Sequence, residues 1–161
     1  MTTIQLDECI NNKKLAEDCN SEGLVTTRRF PGNMVGRSVK DPEMLKAFMG
    51  GPAPLLTTDT RLPTAHSVHI PNRHPGIVVL KHDGPDSMTI KIARDILVNI
   101  KNLIHDWNNM TFSNSIVEIS ESKIRVSRVV DGTLIQDPNI EFTDQDWRTE
   151  MLDTVARNAG L

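Results

Sequence analysis

Asp59 and the pair Asp7-Glu8 are the residues whose types and positions could do chemistry together. Asp59 lies in the stretch Ala53 to Leu62, which reads as a short buried strand running into hydroxyls and a carboxylate (Thr57-Thr58-Asp59). Asp7 and Glu8 close a second predicted strand, Thr3 to Leu6. Carboxylates brought into one cleft repel unless a cation or a proton sits between them. Hard oxygen ligands of this kind suit Mg²⁺ or Mn²⁺. One or two such ions can activate water and stabilise charge on a phosphodiester under attack. Asp41 and Glu43 begin a predicted helix, and the loop before it could bring them to the same rim.

The elements that must position these acids follow from periodicity. Asn11 or Asn12 caps a predicted helix to about Glu22, with Leu15, Ala16 and Cys19 inward. Gly23 stops it, and Leu24 to Thr27 reads as the next strand. Arg28 to Lys40 is punctuated as a loop by Pro31-Gly32-Asn33 and Gly36. Asp41-Pro42-Glu43 then opens a short helix with apolar Met44, Leu45 and Phe48, ended by Gly50-Gly51. After the Asp59 strand, Pro63 to Pro75 is expected to be a long loop.

Gly76 to Leu80 is the clearest strand in the chain. A helix is expected from about Asp86 to Trp107, because Ala93, Ile96, Leu97, Ile100 and Ile104 keep a helical stripe. Ser115 to Ile119 and Lys123 to Val129 alternate as a hairpin about Glu121-Ser122. Asp131 to Asn139 is turn-rich. Thr143, with Asp146 three residues on, resembles a capping box for a last helix bearing Trp147, Met151 and Val155. Alternation through the first hundred residues implies an α/β fold with a mostly parallel, doubly wound sheet and a C-terminal hairpin. Residues 1–130 form the expected domain, and residues 131–161 an extension with an added helix.

At 161 residues the chain can build one domain with a real core. No apolar run approaches the roughly 18 residues of a membrane span, and no signal-peptide pattern opens the sequence. Two cysteines do not make a disulfide framework in a chain of this size, so a reduced, cytoplasmic protein is expected. A net charge of −3 gives no global pull on nucleic acid. Distribution matters more, since Lys13, Lys14, Arg28, Arg29, Arg37 and Lys40 face only Glu17, Asp18 and Glu22 between Asn11 and Lys40. Bases around acidic strand ends could hold a phosphate backbone beside a metal.

Taken together these segments resemble the short PIN-like domains, toxin-like relatives of the PIN-domain ribonucleases. The resemblance runs from Ile4-Gln5-Leu6-Asp7-Glu8 through Gly36 to Leu45 and then Leu55 to Leu62. It continues through Pro75 to Leu80, the long helix and the Ile116 to Val126 hairpin, about residues 3 to 127. It implies a PIN-like fold, an acidic metal pocket and endoribonuclease activity. On it, Asp7 matches the first-strand acid with Glu8 as companion, Asp41 the acid opening the middle helix, with Glu43 beside it. Asp59 matches the acid after the threonine. Asp7, Asp41 and Asp59 are the metal ligands it implies, while Lys14, Arg37 and Arg61 are candidate RNA-phosphate contacts. Arg61 departs from the pattern, standing where family members often carry another acid. RNA is the expected substrate. A small antitoxin protein or a second copy of the chain is a further expected partner, and no membrane is.

Each residue also has a plainer reading. Asp is common at strand ends and turns, and an N-cap before Pro42 accounts for Asp41. His66, His69 and His74 are expected at the surface rather than on zinc. Two other functions are open. A non-catalytic PIN-like module would bind nucleic acid or a partner without cutting. A phosphoacceptor receiver domain would use the acidic pair and Asp59, but would then need a hydroxyl and a lysine after two further strands. Lys81 follows only the next one.

Overall fold

The computed structural model describes residues 3–6, 13–21, 26–28, 45–46, 49–51, 53–104 and 110–161. Asp7, Glu8, Arg37, Asp41 and Glu43, with Cys9 and most of the Arg28 to Lys40 loop, lie outside these described residues. In chain order the elements are β1 (Thr3–Leu6), α1 (Lys13–Ser21), β2 (Thr26–Arg28), β3 (Leu55–Thr57), α2 (Leu62–Ala65) and β4 (Ile77–Leu80). There follow α3 (Ile90–Leu103), β5 (Ile116–Ile119), β6 (Lys123–Val130), β7 (Thr133–Gln136), β8 (Ile140–Glu141) and α4 (Trp147–Ala159).

The strands form one mixed, mostly parallel sheet in the order β2-β1-β3-β4-β5-β6-β7, with β8 on β6. β1 to β5 run parallel. β6 reverses direction against β5 and is itself paired antiparallel by β7 and β8. The order 2-1-3-4-5 puts a topological switch between β1 and β3. That crevice is where an open α/β sheet takes its ligands.

Period-two alternation sorts the strand residues onto two buried faces. Ile4, Leu6, Leu56, Val78, Leu80, Val117, Ile119, Ile124 and Val126 meet Leu15 of α1 and Ala93, Ile96, Leu97 and Ile100 of α3. Trp147, Met151 and Val155 of α4 join the same core. The opposite face carries Leu55, Ile77, Val79, Ile116 and Val129, covered by Leu45, Met49, Leu62 and Ile70. Strands covered on both faces read as continuous apolar runs, which is why Ile77-Val78-Val79-Leu80 was legible.

Several expectations change. The Ala53–Leu62 stretch contributes only three strand residues, and its end turns into α2 behind Pro63, a residue suited to a first helical turn. Pro63 to Pro75 is not one loop, since α2 and a 3₁₀ turn (Ser67–His69) occupy its first half. The long helix starts at Ile90, where the Thr89 hydroxyl accepts the Ile92 N–H at 3.1 Å. Thr143 does not cap the last helix; Asp146 stands at that position, without a side-chain capping bond. The turn-rich segment after Asp131 holds β7 and β8, which extend the main sheet.

Candidate functional site at the carboxyl ends of the strands

Gln5 and Leu6 of β1 are register partners of Leu55 and Leu56 of β3, so the two strands end side by side at the switch point. Thr57 is fully buried, Thr58 and Asp59 half-buried. The Thr57 hydroxyl accepts the Asp59 N–H at 3.0 Å, and Asp59 Oδ1 accepts the Arg61 N–H at 3.1 Å. The Asp59 carbonyl takes the Leu62 N–H at 3.2 Å. Asp59 is thus held by an Asx-type turn at the strand end, with one carboxylate oxygen used internally. Arg61 meets Asp59 through its main-chain N–H, and no ion pair joins its guanidinium to that carboxylate. Arg61 itself is exposed, as is Lys14 in the first turn of α1.

Of the sequence-predicted site residues, Asp59, Arg61 and Lys14 are therefore placed. No group of three potential metal-ligating side chains occurs among the described residues. The half-buried Asp59 carboxylate is a hard oxygen ligand of the class Mg²⁺ takes. Mg²⁺ commonly binds through one or two carboxylates and keeps its waters.

The sequence did not reveal what lies farther along the same rim. Thr57, Val79, Glu118 and Arg125 form one row across four strands. Neighbouring strands are about 4.8 Å apart, so Thr57 and Glu118 stand roughly 10 Å from one another. Two residues earlier the row is apolar on this face, with Leu55, Ile77 and Ile116. The face changes from apolar to polar as it reaches the rim. Arg125 donates through one terminal guanidinium nitrogen to Glu118, both side chains being largely buried. Arg125 Nε has no partner among the described residues. Lys81, Ile119, Ser120, Lys123 and Asn139 complete a cavity of about 70 Å³ beside this pair.

The loops over the rim are locked together. His82 Nδ1 lies 2.6 Å from Glu121 Oε2, and Asp83 Oδ2 accepts both the Ser122 hydroxyl (2.7 Å) and its N–H (3.1 Å). Burial alone would raise the Asp83 carboxyl. The hydrogen bonds from Ser122 and Ser120, with nearby Lys123, hold it below its ordinary value instead. Ser120 follows the fifth parallel strand, β5, and Lys81 follows the fourth, β4. A receiver domain needs the hydroxyl first and the lysine second, so these positions are reversed.

At the opposite, amino-terminal edge, His74 is buried rather than at the surface. Its Nδ1 accepts the Gly76 N–H at 3.1 Å, and desolvation lowers its pKa to about 4. His74 N–H donates to Asn114 Oδ1, and Asn114 Nδ2 donates to the carbonyl of Asn158 in α4. Asn158 Nδ2 reaches the Ser115 hydroxyl at 3.1 Å. This network ties α4 to the start of β5. Being far from the switch point, it is structural.

No helix among the described residues is long and apolar enough to cross a membrane. No family model, no curated protein and no solved structure matches this chain.

Proposed function

We propose that this chain is a PIN-like, metal-dependent endoribonuclease, the toxin-like member of a two-component pair. The observation that supports it most is the parallel pairing of β1 with β3. It sets the Thr57-Thr58-Asp59 strand end next to the end of β1, the strand that Asp7-Glu8 follow in sequence. In this reading Asp59 and Asp7, with Asp41, hold Mg²⁺ or Mn²⁺, and Glu8 and Glu43 are secondary acids. When bound, the ion would supply an activated water and charge neutralisation at the phosphodiester. The protein's part is positional. The Asx-type turn fixes the Asp59 carboxylate, while exposed Arg61 and Lys14, with Arg37 of the sequence, are the candidate phosphate contacts.

A second reading has its own observation. One oxygen of Asp59 is already engaged by Arg61 N–H, as in an ordinary turn. A PIN-like module that binds RNA or a partner without cutting needs no more than that. Thermal denaturation with added Mg²⁺ or Mn²⁺ separates the two. Under the nuclease reading the midpoint rises with the ion, and Asp7→Asn loses the rise. A midpoint indifferent to both ions would favour the module.

A further inference from the structure

The cavity at the ends of β4 and β5 is lined by three cations and one carboxylate, and nothing in the proposed cleavage chemistry uses it. Lys81 follows β4, Lys123 opens β6, and Arg125 lies two residues on. Period two along β6 puts Lys123 and Arg125 on one face of the sheet. Glu118 neutralises Arg125 through their ion pair. That leaves Lys81 and Lys123 as the cations Glu118 does not neutralise, with the Asp83 carboxylate near Lys123, on a wall that also carries the Asn139 amide.

Size and charge together select the ligand. A single water needs about 10–15 Å³ of such space, so about 70 Å³ takes a small polyatomic anion but not a nucleoside. A phosphodiester carries one negative charge, whereas a phosphomonoester carries about −1.5 to −2 at neutral pH. The pair of lysines matches the second. We infer that this cavity binds a phosphomonoester dianion, as inorganic phosphate or as the terminal phosphate of an RNA strand. Lys81 and Lys123 supply the charge, and the Asn139 amide the neutral hydrogen bonds. The paired Glu118 carboxylate keeps Arg125 in place.

The test is binding in EDTA, where no metal-dependent cleavage can intervene. The intact chain is titrated calorimetrically with inorganic phosphate. It is then titrated with one oligoribonucleotide carrying either a 5′-phosphate or a 5′-hydroxyl. The expected result is saturable phosphate binding that weakens by about tenfold or more in Lys81→Met/Lys123→Met, and below about pH 6, where phosphate loses its second charge. Preference for the 5′-phosphorylated strand would identify an RNA end as a ligand. Equal affinity for both strands, with phosphate still bound, would identify the free ion. Lys81 is exposed, so Lys81→Glu is a second variant that keeps the fold and should abolish binding by charge reversal. Absence of saturable binding by every probe, or unchanged affinity in both variants, overturns the assignment.

Discussion

Leu6 of β1 and Leu56 of β3 are direct register partners in parallel strands. One consequence is that whatever follows Leu6 and whatever follows Leu56 leave the sheet at the same rim. The two acidic strand ends singled out from sequence are therefore attached to neighbouring strands, on either side of a topological switch. Had β1 and β3 been separated by another strand, the two strand ends would stand about 10 Å apart.

Buried His74 makes stability depend on acid. Its folded pKa of about 4 lies below the ordinary 6.5. Between those values the unfolded chain binds a proton that the native one does not. The contribution is complete above pH 6.5, falls as the pH drops, and levels off below about 4. The expected loss is about 3 kcal/mol at 1.36 kcal/mol per pKa unit. Chemical denaturation from pH 7 to 4 should show it, and His74→Asn should flatten that limb. Imidazole resonances of His74 titrating near 6.5 would contradict the account.

Gly76 has φ +122°, and a Cβ there would lie 2.6 Å from both Cβ and O of Phe112. The neighbour is partly backbone and cannot move aside cheaply. Gly76→Ala should cost about 2–4 kcal/mol, from positive-φ strain and overpacking together. A denaturant midpoint within error of the parent would refute that close approach.

Asn158 is almost wholly buried in α4, donating to Ser115 and accepting from Asn114 through its carbonyl. Asn158→Ala removes the side-chain bond and leaves Ser115 in a polar pocket without that donor. The expected cost is about 1–3 kcal/mol. Asn158→Asp should be worse, because a carboxylate cannot donate to Ser115 and would be buried as a charge. Equal stability of all three proteins would remove the network as a clamp on α4.

Asp83 fastens the β4 loop to the β5–β6 turn, through Ser122. Its side chain is exposed, so Asp83→Ala should change global stability by only about 0.5 kcal/mol. Local opening should increase. Hydrogen exchange at the Ser122 amide is expected to accelerate while amides in β4 and β5 stay protected. Unchanged exchange at Ser122 would show the turn is held by other contacts.

The legible parts of this fold were those with a strong local signal. The alternation of β1, the apolar run of β4, the stripe of α3 and the β5–β6 alternation each bury apolar side chains in a pattern that the sequence carries. β7 was readable too: Asp131 and Gly132 both take positive φ, and Asp-Gly between alternating residues is a hairpin signal. The turn residues outweigh the strand signal there because Thr133 to Gln136 is a half-exposed edge strand. The Lys81–Lys123–Arg125 cavity and the Glu118 pair were not legible at all. They exist only because β4 and β5 pair in parallel while β5 and β6 pair antiparallel. Register of that kind is a tertiary fact. The burial of His74 is hidden from the sequence for a related reason. A histidine in a Pro-flanked segment gives no sign that a distant Asn114 will bond its backbone and help enclose it.

The central claim is metal-dependent RNA cleavage at the β1–β3 switch point, and cleavage itself tests it most directly. A mixed RNA substrate is incubated with the protein and Mg²⁺ or Mn²⁺, with EDTA and with Asp59→Asn as parallel reactions. Cutting that needs the metal and disappears in both controls is the predicted result. Intact RNA from well-folded parent protein with either metal, or undiminished cutting by Asp59→Asn, would contradict it.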